Sequence, residues 1–313
     1  MRRSHAPMPL WMLALPLLTL GACGHKSDDD SGADHDHDHD DGADGADGGD
    51  SGDGADGADG GDGGDSTRTL QFSAVVDGTN FACGDTYALG GSDVVFDDLR
   101  FYLTEFYAID GDGSTVQLSI VDEAPWQGEG VVLLDFEDGC RGGTAELRTT
   151  VEVSGPAGAW SGVGFTMGVP FAVNHSDVAA APAPMNVSSM FWSWNAGHKF
   201  LKVDGASTGL PGGFSIHTGS TMCEMDDGGT VTGCANENRA QFELATAFDP
   251  DTSVVVFDLG ALLDGVDLDN NTADTAPVCM AAPNDPDCAP LFSNLGLPFG
   301  DAPGGPPTVF SVQ

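Results

Sequence analysis

Three histidines fall between residues 67 and 313: His175 in VPFAVNHSD, His198 in WNAGHKF and His217 in SIHTGS. Imidazole is a borderline ligand that suits both copper and zinc, so two or three of these rings meeting in space could hold a transition metal. The alternative for each is a hydrogen-bonded side chain at a turn or strand end, as the pair Asn174-His175 suggests. Between them lies Met190-Phe191-Trp192-Ser193-Trp194. In an extended chain Trp192 and Trp194 share a face, where they can serve a core or offer an electron-rich indole to a one-electron oxidant. Met190 beside them is either a soft thioether contact or core filling.

Other chemistries lack their residues. The chain has no nucleophile elbow, P-loop, HExxH or dinucleotide fingerprint, so hydrolases are disfavoured. Asp267, Asp269 and Asn271 in DGVDLDNNTAD are spaced like the start of a calcium loop, without the Glu that closes an EF-hand. Apart from Cys23 there are six cysteines, Cys83, Cys140, Cys223, Cys234, Cys279 and Cys288. No CxxC pair suggests a zinc ribbon. Disulfides are expected, and proximity pairs Cys223 with Cys234 and Cys279 with Cys288, leaving Cys83 with Cys140, although six cysteines allow 15 connectivities.

The elements that must position these groups are strands. In LQFSAVVDG, Phe72, Ala74 and Val76 alternate with polar neighbours, as Leu99, Phe101 and Leu103 do in DLRFYLTEF, the period of half-buried strands. STVQLSIVD, VVLLDFED, AELRTTVEV, GVGFTMGV, HKFLKVDG, AQFELA and SVVVFDLG read similarly. Helical turns are expected only near Ser176 to Ala181 and around Leu259 to Leu263. The pattern predicts an all-β, antiparallel, sandwich or barrel-like domain over 67–313.

Composition separates this domain from what precedes it. The 313 residues carry 10 Lys+Arg against 49 Asp+Glu, a net charge of −39, which excludes nucleic acid as a partner. Sixteen of the acids are the Asp of residues 28–65, a stretch with no aromatic or branched aliphatic residue. Such a segment cannot offset the entropy of folding and is expected to be a disordered tether over 23–66. Its HDHDHD run, with His35, His37 and His39, could scavenge divalent metal weakly or simply be solvated. Ahead of it, Arg2 and Arg3 precede an apolar run from Met8 to Leu20, the layout of an export signal over 1–22. Leu20-Gly21-Ala22-Cys23 resembles a bacterial lipobox, which implies lipidation at Cys23, membrane attachment through that anchor only, and a place in the cell envelope, on the periplasmic face or surface of an outer membrane.

Taken together, DLRFY, LLDFED, GVGFTMGVPFAVNH, MFWSWNAGHKF, IHTGS and CMAAPNDPDC with FSNLGL resemble the methanobactin-associated MbnP-like copper-binding proteins over residues 68–298. The resemblance implies a mononuclear copper site made by histidines and a tryptophan oxidised to kynurenine by a partner dihaem protein of the MauG and cytochrome c peroxidase group. His175 and His217 match the family's histidine positions, and Trp192 and Trp194 match its WxW. His198 departs from the Tyr common there, and is either a surface residue or a third ligand. On this reading the chain is a substrate of its partner and not an enzyme. The competing expectation is a calcium-stabilised structural or surface interaction module.

Overall fold

The computed structural model describes residues 64–140, 143–245 and 248–313. The export signal, Cys23 and the tether with His35, His37 and His39 lie outside the described residues. Among the described residues no helix is long and apolar enough to cross a membrane.

The domain is a mostly β structure of two main sheets that do not close into a barrel. The smaller runs Phe310–Val312, Val254–Asp258, Asp65–Val76, Thr150–Pro156, Ser119–Ile120. The larger runs Ala240–Leu244, Gly162–Met167, Ser92–Ile109, Leu201–Ser207, Phe214–Thr218, Val278–Cys279. Pairing is antiparallel except where Asp65–Val76 meets Val254–Asp258 and Phe214–Thr218 meets Val278–Cys279. The first strand starts at Asp65, two residues before the boundary that composition suggests, because Asp65 and Ser66 still pair with Pro156 and Gly155.

Apolar alternation places one face of each sheet in a shared core. Phe310 is its hub, with ring centroids 4.7 Å from Phe242, 5.1 Å from Phe165 and 5.1 Å from Phe257. Phe257 comes from the smaller sheet and Phe165 and Phe242 from the larger, so these contacts join the two layers.

The central strand Ser92–Ile109 is covered on both sides. Leu99, Phe101 and Leu103 enter the sandwich core, while Tyr102 belongs to a second cluster with Val131, Leu133, Val169, Met185, Met190 and Phe200. An excursion from Val169 to Phe200 forms this outer layer, and it carries His175, Trp192, Trp194 and His198. The stretch from Leu99 to Leu103 is therefore buried on both faces of the strand.

The three disulfides are Cys83–Cys140, Cys223–Cys234 and Cys279–Cys288, the pairing that proximity favours. Helical turns fall partly elsewhere than expected. Leu259–Leu262 is helical, capped by the Asp258 carboxylate accepting from Gly260 N–H at 2.8 Å. The turn expected at Ser176–Ala181 forms earlier, at Phe171–Asn174, just after Pro170, whose fixed φ suits a helix entry; Asp177 to Ala181 make only turn hydrogen bonds. A helix at Cys288–Asn294 is additional, anchored by its disulfide and by the buried Leu291 and Phe292.

Candidate metal centre

Strand period and register build a charged ladder on the outer face of the larger sheet. Lys202 lies opposite both Arg100 and His217, and Asp204 opposite both Asp98 and Ser215. Because their neighbours Leu201, Val203 and Ile216 point into the core, the polar residues share the other face. Asp98 pairs with Arg100 and with Lys202, and Lys202 reaches Asp204 at 2.8 Å. A cleft of about 620 Å³ opens on this ladder, lined by Asp98, Arg100, Lys202 and Asp204 among others.

His217 ends the ladder. Its Nε2 lies 2.8 Å from Asp204 Oδ1. Burial pushes the His217 imidazole down, against the pull of the Asp204 carboxylate. Burial alone would raise the Asp204 carboxyl, but hydrogen bonds from His217, Lys202 and Ser215 hold it well below the usual carboxylate range. The hydrogen bond to the carboxylate fixes the proton on Nε2, so that in the neutral imidazole, which burial favours, the lone pair is on Nδ1. That Nδ1 is buried and has no hydrogen-bond partner.

Trp192 packs beside it, ring centroids 6.4 Å apart. Its indole Nε1 is also buried without a partner, which is uncommon for a buried tryptophan. Gly219 makes room for the ring, since a Cβ there would stand 2.6 Å from Trp192 Cζ3.

His175 sits against the other tryptophan. Its Nδ1 lies 3.3 Å from the Trp194 carbonyl oxygen and its Nε2 3.5 Å from Cys234 Sγ. Burial lowers the His175 pKa, which favours the neutral ring; with Nδ1–H given to Trp194, Nε2 is the acceptor, and the Asn174 Nδ2 donor lies 3.4 Å from it. Trp194 itself is half exposed.

Asn174 ties these segments together. Its Oδ1 accepts from His198 N–H at 2.8 Å and its Nδ2 donates to Ser220 Oγ at 3.3 Å. A single buried amide thus joins the turn bearing His175, the loop bearing the tryptophans, and the end of the His217 strand.

His198 has no free nitrogen. It is 0% exposed, with Nδ1 2.8 Å from the Asn174 carbonyl oxygen and Nε2 2.9 Å from the Met185 carbonyl oxygen. It is therefore not a surface residue, and both of its ring nitrogens lie against backbone carbonyls. Met190 is fully buried in the outer cluster, so core filling accounts for it.

Among the described residues, groups of three potential ligand atoms within 4.8 Å are His175 with Cys223 and Cys234, and Cys83 with Asp138 and Cys140. Their cysteines are disulfide-bonded and offer no thiolate. In the acidic loop, Asp267 accepts from Asp269 and Asn270 N–H, Asp269 from Gly209 N–H, and Asn271 from Val278 N–H. Its side chains organise the loop itself.

The MbnP family model matches residues 65–281. The chain belongs to the MbnP family. The MbnP of Methylosinus trichosporium is similar in structure, with a TM-score of 0.69 and 30% identity over 79% of this chain and 98% of that one. No curated protein matches at a significant level. The residues that the family model matches include the His217 ladder, the tryptophan loop and Asn174, and end before the helix at Cys288–Asn294 and the core strand Phe310–Val312.

Asp204 and Lys202 are site residues to which the sequence alone assigns no role, and Asn174 is expected there only as the turn partner of His175. A Lys-x-Asp alternation facing a Ser-x-His alternation is visible in KVD and SIH, but only strand pairing makes it a ladder.

Proposed function

We propose that the chain is an exported, lipid-anchored copper-binding protein of the cell envelope, held through Cys23, and not an enzyme. The observation that carries this reading is the His217 imidazole, whose Nε2 is fixed by Asp204 while its buried Nδ1 has no partner. A metal-binding histidine is commonly arranged in this way, because the second hydrogen bond sets the tautomer and strengthens the remaining nitrogen as a ligand. The orphaned Nδ1 therefore fits a metal better than a merely structural role, in which a buried unpaired acceptor is a cost.

His217 would supply Nδ1 and His175 its Nε2. Bound copper would supply a one-electron couple that imidazole ligands can accommodate. Trp192, and not Trp194, is the residue we assign to oxidation by the dihaem MauG-like partner, because its indole lies beside His217 while Trp194 offers His175 only its backbone carbonyl. Opening the indole to kynurenine yields an aryl amine and a ketone, which could orient or tune a metal as indole cannot.

The test is coexpression with a dihaem partner followed by mass spectrometry and copper analysis. The proposal predicts a kynurenine mass shift in the Trp192 peptide and copper that is lost from His217→Ala and His175→Ala. Normal copper binding by both variants would overturn the ligand assignment.

A further inference from the structure

The methionines divide sharply. Among the described residues Met167, Met185 and Met190 are buried, while Met222, Met225 and Met280 are 60%, 47% and 36% exposed. Met222 and Met280 are far apart in sequence yet line one groove of about 360 Å³, together with Trp192, Asn195, Ser220 and Cys223. Each is next to a disulfide cysteine, Met222 before Cys223 and Met280 after Cys279. Backbone in the left-handed region accompanies both: Met222 itself has φ 54°, and Val278 and Ala281 around Met280 have φ 72° and 57°. Non-glycine residues hold such angles only where the surrounding structure imposes them.

The geometry points to this groove as an entry site for copper in its monovalent form, which passes from the Met222 and Met280 thioethers to the His217 centre. Thioethers select soft monovalent copper over zinc or divalent copper. Trp192 walls the groove and also faces His217, with ring centroids 6.4 Å apart, so the two places share one side chain. Gly219 lets that indole lie against the short link between the His217 strand and the strand that carries Met222. Transfer is ligand exchange: thioether sulfur leaves the ion as imidazole nitrogen binds, and no electron moves. The inference rests on the copper reading above and adds the route.

The experiment uses the full chain with methyl-labelled methionines and silver(I) as the probe. The groove predicts that the Met222 and Met280 methyl resonances shift, in wild type and in His217→Ala alike, while Met225 and the buried methionines stay in place and zinc has no effect. It also predicts that Met222→Leu with Met280→Leu takes up copper(I) from a chelator roughly tenfold more slowly, the loss of about 1.4 kcal/mol, at unchanged final stoichiometry. Silver shifts that are absent, or equal at all three exposed methionines, would overturn the groove as a site; an unchanged uptake rate would overturn it as the route. Failure of wild type to load copper while the two methyls respond to silver would sink the copper-centre reading and the route, and leave only the thioether site.

Discussion

The Asp204 carboxylate receives the Nε2–H of His217 at 2.8 Å and is itself held by Lys202 and Ser215. The imidazole is thereby oriented by groups on two adjacent strands, and its tautomer is set before any metal arrives. Removing the carboxylate should weaken metal binding without removing a ligand. Asp204→Asn is expected to lower copper affinity by about 10- to 100-fold, the range found when such supporting groups are replaced, measured by chelator competition. Unchanged affinity would mean that His217 is not a ligand.

His198 should behave oppositely. His198→Phe leaves the Asn174 and Met185 carbonyls without the imidazole that now lies against them, at a cost of about 1–3 kcal/mol for an unsatisfied buried group. Urea unfolding should report that loss, and copper stoichiometry should be retained. Loss of copper from a variant that is still folded would make His198 a ligand after all.

Much of the fold is legible in the sequence because strand burial has a short period: the alternations around Phe72, Leu99 and Phe101 enter the core as expected. The disulfide pairs are likewise the ones that proximity suggests. The strand carrying His217 is less visible, since FSIHT alternates over too few residues to stand out from a loop. Asp204 shows in the sequence only as one end of the short KVD alternation, and its role exists only when Leu201–Ser207 pairs with Phe214–Thr218. His198 shows the same limit, since its two acceptors are backbone carbonyls of distant segments and no residue type announces them.

The core beyond the family-matched residues should be indispensable. Phe310→Ala removes a ring that touches Phe101, Phe165, Phe242 and Phe257, and truncating a buried phenylalanine costs about 3–5 kcal/mol. Thermal and urea unfolding should show a loss of this size; a loss below about 1 kcal/mol would mean that the terminal strand does not complete the sandwich.

Burial raises the Asp135 carboxyl to about 7, against hydrogen bonding from Thr144 and the charge of Arg100. The folded protein therefore holds a proton that the unfolded chain releases near the ordinary value of 3.8. Between those two values the native state binds more protons, so this group makes stability fall as pH rises through that window. Asp135→Asn should flatten the slope in urea unfolding measured across it. An identical slope in the variant would show that Asp135 is ionised throughout.

Anomalous scattering at the copper edge, recorded from crystals of the copper-loaded protein, tests the central claim most directly. One strong peak is expected within bonding distance of His217 Nδ1 and beside residue 192. A peak on the acidic loop or among the disulfides, with His217 Nδ1 left empty, would contradict it.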